Sequence, residues 1–172
     1  MRILFFFSIT FLTGSWSIVN GQYYDQTIGF RAGTSFEASY KRFIFYTPDI
    51  QQALEVLAGF QLDENVPMVA YDIPENNGFV LEGLWLCHLD IGFDTNFSGF
   101  AGGGAYFGGY VESGKSEIFF GGGLTLLVGM EYSFTHVPIS VSIDWKPLIG
   151  YPRLSLARGA LTLRYILPTP WQ

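Results

Sequence analysis

Eight residues constrain this chain more than any other feature. From Ile139 to Lys146, the side chains of Ile139, Val141, Ile143 and Trp145 fall on one side. Those of Ser140, Ser142, Asp144 and Lys146 fall on the other. A period of two sustained over this length cannot come from a helix, and it describes a strand with one apolar and one polar face. The same period recurs elsewhere. Leu161, Leu163 and Tyr165 oppose Ala160, Thr162 and Arg164; Ile28, Phe30 and Ala32 oppose Gly29, Arg31 and Gly33. Met130, Tyr132 and Phe134 oppose Gly129, Glu131 and Ser133. Alternation at both ends of the chain and near its middle predicts an all-β fold.

Weaker strands fill the gaps. Glu37–Phe45 alternates until Lys41-Arg42 blurs it, Gln51–Phe60 reads as a strand or a short helix, 78–88 is apolar around Glu82, and 97–110 mixes Gly with aromatics. The predicted strands are 26–34, 37–46, 52–60, 78–88, 97–110, 117–134, 138–147 and 157–166. The sixth is long enough for its first half to project beyond a membrane. The runs Gly102–Gly104 and Gly121–Gly123 sit inside alternating segments and read as strand kinks in a tightly curved wall. Thr135–Pro138 is a tight turn, whereas 61–77, with Asp63, Glu64, Asp72 and Glu75, and 147–156 are long connections. Short turns at one end and long loops at the other mark outer-membrane barrels. An even strand count then puts both termini in the periplasm and the 34–36, 61–77 and 147–156 links outside. The 46–50 and 89–96 links fall inside.

Composition supports an inside-out reading. The chain is 49% hydrophobic and 18% aromatic, but only 14% charged, against about 25% in ordinary soluble domains. A net charge of -6 with nine Lys and Arg excludes a nucleic-acid binder. The single Cys87 excludes an internal disulfide framework and a multi-cysteine metal site. Met1-Arg2, the apolar run Ile3–Leu12 and the small residues of Val19-Asn20-Gly21 are laid out as a signal peptide spanning 1–21. The apolar run is shorter than the roughly 20 residues of a spanning helix, which disfavours an uncleaved anchor. Residues 22–172 are then one domain: a closed antiparallel up-and-down transmembrane β-barrel of about eight strands. An interior of that size is filled by side chains. The polar parity assigns Arg31, Glu55, Glu82, Glu131, Asp144, Lys146 and Arg164 to the lumen, as a structural plug of ion pairs in preference to an ion path or catalytic pair. Asp144 is expected to find its cation in Lys146, Arg158 or Arg164. Phe134, Trp145 and Tyr165 are assigned to aromatic girdles, with Trp145 at the outer end of its strand.

Several stretches resemble the small outer-membrane β-barrel proteins common in Bacteroidota. They are Ile28–Gly33, Tyr40-Lys41, Gly102–Ala105, Gly129–Phe134, Pro138–Pro147 with its Asp144-Trp145-Lys146-Pro147, and Gly159–Tyr165. The resemblance implies an eight-stranded outer-membrane barrel and no catalytic residues. The chain departs from such proteins at its end, where Pro168–Gln172 follow the last strand in place of a terminal aromatic.

Little catalytic chemistry is legible. Cys87 and His88 are adjacent, so a strand points them to opposite faces, and the two histidines do not make the ligand set of a zinc site. Ser133, His136 and Glu131 could be drawn as a nucleophile, base and acid, but a turn begins between Ser133 and His136. The His-x-Ser pair of lipid A deacylases is missing, since Val137-Pro138 follows His136. Gly114-Lys115-Ser116 lacks the surroundings of a phosphate loop. The reading is a structural or accessory barrel of a Gram-negative outer membrane, with no catalytic activity, cofactor or metal. Its expected partners are membrane lipid and lipopolysaccharide, the barrel-assembly machinery, and an unidentified protein at the acidic outer loops. A lipid A-modifying enzyme and a soluble barrel for an apolar ligand are the alternatives.

Overall fold

A computed structural model describes residues 25–47, 50–61, 76–91, 96–112, 118–151, 154–156 and 158–168. The signal-peptide assignment, most of the 61–77 connection and the 169–172 tail lie outside these residues. The elements are β1 (Gln26–Gly33), β2 (Ser35–Tyr46), β3 (Ile50–Gln61), β4 (Asn76–Asp90), β5 (Phe97–Glu112), β6 (Ile118–Ser133), β7 (Ile139–Trp145), β8 (Leu148–Tyr151), β9 (Leu154–Ser155) and β10 (Gly159–Ile166). Each strand pairs antiparallel with its neighbours, and β10 pairs with both β7 and β1, so the sheet closes on itself. Closure removes both edges, which a hydrocarbon environment requires.

The ten elements form eight wall paths. β7 and β8 both run along β6, with a break at Lys146-Pro147. Proline has no N–H for the ladder, but its carbonyl still accepts from Leu126 N at 3.1 Å. Pairing then resumes from Thr125↔Leu148 to Gly122↔Tyr151. β9 returns along β8, and Lys146 N donates to Arg158 O at 2.7 Å where the path rejoins β10. The 147–156 segment is therefore not a plain loop, because it extends the wall as a hairpin. Gln51–Phe60 lies within a strand, and the blurred Lys41-Arg42 step is a regular one with Lys41 inward and Arg42 outward.

The wall is uneven in height. β5 and β6 have 16 residues each, β1 and β10 eight. At about 3.3 Å per residue and a tilt near 40°, 16 residues rise about 40 Å, more than the roughly 25 Å apolar band of such barrels. The far ends of β5 and β6 thus exceed one band height.

Side chains alternate across the wall. Phe30, Phe60, Phe107, Leu124, Ile143 and Leu161 point outward, each more than half exposed. Among the described residues, no helix is long and apolar enough to cross a membrane. Inside, Phe43, Leu57, Leu84, Leu86, Phe100, Leu127 and Ile166 pack with Ala53, and Val80, Tyr106, Tyr110 and Leu148 form a second cluster. Gly129 makes room for this packing: a Cβ there would lie 2.5 Å from Phe100 Cζ and 2.9 Å from Asp144 Cβ. Charged groups occupy the rest of the interior.

Candidate functional site: the luminal charge network

Ten ionised side chains are buried inside the barrel among the described residues. Five are acidic (Glu37, Glu55, Glu82, Glu131 and Asp144) and five are basic (Arg31, Lys41, Lys146, Arg158 and Arg164). They fall into two groups, each balanced in itself.

The group nearer the end away from the termini holds three cations and three carboxylates. Arg31 Nη2 donates to Asp144 Oδ1 at 2.6 Å, and its Nη1 reaches Glu37 Oε2 at 3.2 Å and Ser35 Oγ at 3.1 Å. Lys146 Nζ bridges Glu37 and Glu82, at 2.8 Å from each. Arg158 Nη2 donates to Glu37 Oε1 at 3.2 Å and to Ser35 Oγ at 3.1 Å, and its Nη1 faces Glu82 Oε1 at 3.7 Å. Glu37 is the hub, held by three cations.

The second group, nearer the termini, holds two of each sign. Lys41 Nζ donates to Glu131 Oε2. Arg164 Nη2 donates to Glu55 Oε1 at 2.7 Å, and its Nη1 to Ser142 Oγ at 2.6 Å. Ser39 and Ser140 donate to Glu55 and Glu131, each at 2.6 Å. Buried charge is tolerable only when paired and hydrogen-bonded. The inward serines supply the extra bonds.

All seven luminal residues named from the alternation lie inside, but Asp144 does not take the partner expected of it. Lys146 and Arg158 turn across the lumen to Glu37 and Glu82, and Arg164 reaches Glu55. Asp144 pairs with Arg31, two strands away. Arg31 is opposite Thr162 on β10, and Thr162 is opposite Ser142 on β7. Thr162 is short, with Oγ1 3.5 Å from Asp144 Oδ2, so the guanidinium passes over it. In a narrow tube, cross-lumen contacts compete with those along one wall.

Glu37 and Lys41 were missed. Ser35, Glu37, Ser39 and Lys41 are all buried and alternate with exposed Phe36, Ala38, Tyr40 and Arg42, so parity on β2 carries the signal. Arg158, which shares the inward parity of Arg164, is buried just before β10 but takes Glu37 as its partner and not Asp144.

The other singled-out groups are dispersed. His136 is exposed on the 134–138 turn, while Ser133 and Glu131 are buried in the lumen, so the drawn Ser133–His136–Glu131 unit is not assembled. His88 is buried between Phe43 and Phe100, its ring centroid 5.0 and 5.2 Å from theirs, with Nδ1 3.9 Å from Glu131. Among the described residues no cluster of His, Cys, Asp and Glu could hold a metal ion. Phe134 is exposed just past β6, and Tyr165 is half-buried on β10. Trp145 faces outward but is not at the end of its path, because pairing along β6 continues to Tyr151. Its indole N–H donates to Leu156 O at 2.7 Å.

No family model and no curated protein sequence matches the chain. Two crystal structures resemble it. The N-terminal β-barrel domain of Pseudomonas aeruginosa OprF aligns with a TM-score of 0.55 at 14% identity, covering 86% of this chain and 100% of that one. Ail, the attachment invasion locus protein of Yersinia pestis, aligns with a TM-score of 0.47 at 11% identity, covering 81% and 90%. The first likeness, together with closure and the eight antiparallel paths, establishes the fold as that of a small outer-membrane β-barrel.

Proposed function

We propose that this chain is a non-catalytic barrel of a bacterial outer membrane, with a structural or accessory role and a sealed lumen. The observation that carries the reading is the interior itself. Ten paired charges and two apolar clusters fill a tube whose outside is apolar. Eight strands leave room for side chains and little else. The same charges oppose a soluble barrel built to hold an apolar ligand. The dispersal of His136 from Ser133 and Glu131 gives no support to a lipid-modifying enzyme.

In this reading both termini lie in the periplasm, and the hairpin 146–158 and the tall β5–β6 end face outward. The acidic outer connection around Asp63, Glu64, Asp72 and Glu75 is the segment assigned to a protein partner. Lipid and lipopolysaccharide surround the wall, and the barrel-assembly machinery inserts it. The sequence resemblance to Bacteroidota proteins supports a source of that kind. The test is electrical. Purified protein in a planar bilayer should give no steady single-channel current. Reproducible stepwise conductance would mean that the lumen is a pore and the proposal is wrong.

A further inference from the structure

The outward face of the barrel is almost entirely apolar or aromatic, with one exception. Among the strand residues whose side chains are described, the outward-facing polar ones that are not aromatic are Gln26 on β1, Arg42 on β2 and Gln52 on β3. Arg42 is the one outward charge. The three are neighbours. Gln26 is directly opposite Arg42 in the β1–β2 register. Leu54 is opposite Arg42 on β3, and Gln52 follows two residues away on the same face. Three isolated polar side chains scattered over eight strands would be unremarkable, but here all of them share one spot.

The surroundings make this spot costly if left empty. Arg42 has no ion-pair or hydrogen-bond partner among the described residues. On its own strand, Tyr40 lies on one side and Ile44, Phe45 and Tyr46 on the other, all exposed. The apolar belt therefore continues past the guanidinium toward the termini. A charge on the lipid face is unfavourable by an amount that grows with depth, and an intramembrane ionisable group calls for a partner. A register shift between Phe43 and Phe45 bends β2 beside Arg42, and such bulges re-aim side chains. Tyr40 Oη donates to Gln26 Oε1 at 3.1 Å, which fixes that amide and leaves its NH2 to donate outward. Tyr46 Oη occupies Asp25 Oδ1 at 2.9 Å.

We propose that Arg42, with Gln26 and Gln52, binds the phosphate of a phospholipid in the leaflet nearest the termini. A planar guanidinium flanked by two carboxamides presents a fork of donors matched to phosphate oxygens. The tyrosines and Phe45 are placed to lie along the glycerol and upper acyl chain. The occupant is a membrane lipid and not a free anion, because the site opens onto the apolar belt. The inference rests on the membrane reading but is independent of whether the lumen is sealed.

The test is native mass spectrometry of the detergent-folded barrel titrated with phosphatidylethanolamine, each variant first checked for a heat-dependent gel shift so that misfolding is scored separately. The unmodified chain should retain one lipid. Arg42→Gln should weaken retention about tenfold, the loss expected of one charge-assisted contact. Arg42→Lys should fall between, and Gln26→Leu should weaken it less. Diacylglycerol, with the same chains and no phosphate, should not be retained, and millimolar inorganic phosphate should not displace the lipid. Equal retention by folded Arg42→Gln, equal retention of diacylglycerol, or displacement by inorganic phosphate would each overturn the proposal.

Discussion

Asp144→Asn separates a plug of interlocked charges from a merely polar lumen. In the unmodified chain, Asp144 accepts three contacts from Arg31, at 2.6, 3.2 and 3.2 Å. The substitution leaves Arg31, Lys146 and Arg158 against Glu37 and Glu82, three cations facing two carboxylates with water excluded. Breaking one side of a buried pair costs about 3–5 kcal/mol. With a urea slope of about 2 kcal/mol/M, the unfolding midpoint should fall by roughly 2 M. The double variant Arg31→Met/Asp144→Leu removes one charge of each sign and leaves two against two. Replacing a whole buried pair by apolar groups is often neutral or stabilising, by about 1–4 kcal/mol. It should therefore unfold near or above the unmodified midpoint, far from the sum of its single changes. The assay is urea unfolding in detergent micelles, followed by tryptophan fluorescence and by the gel shift on boiling. If Asp144→Asn leaves the midpoint unchanged, or the double variant loses as much as both singles together, charge pairing is not what organises the lumen.

Further outcomes follow from the same structure. The folded protein should run differently on a gel before and after boiling, because closure keeps all its ladder hydrogen bonds internal; identical mobility would argue against closure. Gly129→Ala should cost about 1–3 kcal/mol by overpacking, since its Cβ would meet Phe100 Cζ and Ile143 O at 2.5 Å. Gly83→Ala, where nothing lies within 4 Å, should be neutral by the same urea midpoint. Ile143→Asp should reduce the folded fraction in lipid vesicles more than in detergent, because it places a charge on the outward face.

Period two was the legible part of this molecule, and its limits are physical. Ile139–Trp145 alternates cleanly because each face meets one environment along its whole length. On β2, Lys41 and Arg42 are both charged, so polarity no longer marks the face, although the serines and glutamate before them do. The hairpin 148–155 was hidden by Pro147, which interrupts one hydrogen bond without ending the path. The Arg31–Asp144 pair was not legible at all. Parity says that both residues point inward, but their meeting depends on barrel curvature and on the short Thr162 between them. The phosphate-site residues were invisible for the opposite reason: Gln26, Arg42 and Gln52 come together only once β1, β2 and β3 are in register.

The central claim is that this is a membrane barrel turned inside out, lipid against its aliphatic face and paired charges within. The most direct measurement is spin-label accessibility, residue by residue, from Ser140 to Trp145 in lipid vesicles, after replacing the half-exposed Cys87 with serine. Labels at Val141, Ile143 and Trp145 should collide with oxygen, which partitions into lipid, and be shielded from a water-soluble nickel reagent. Labels at Ser140, Ser142 and Asp144 should be shielded from both. Nickel access at Val141, Ile143 and Trp145, or no period of two at all, would contradict the account.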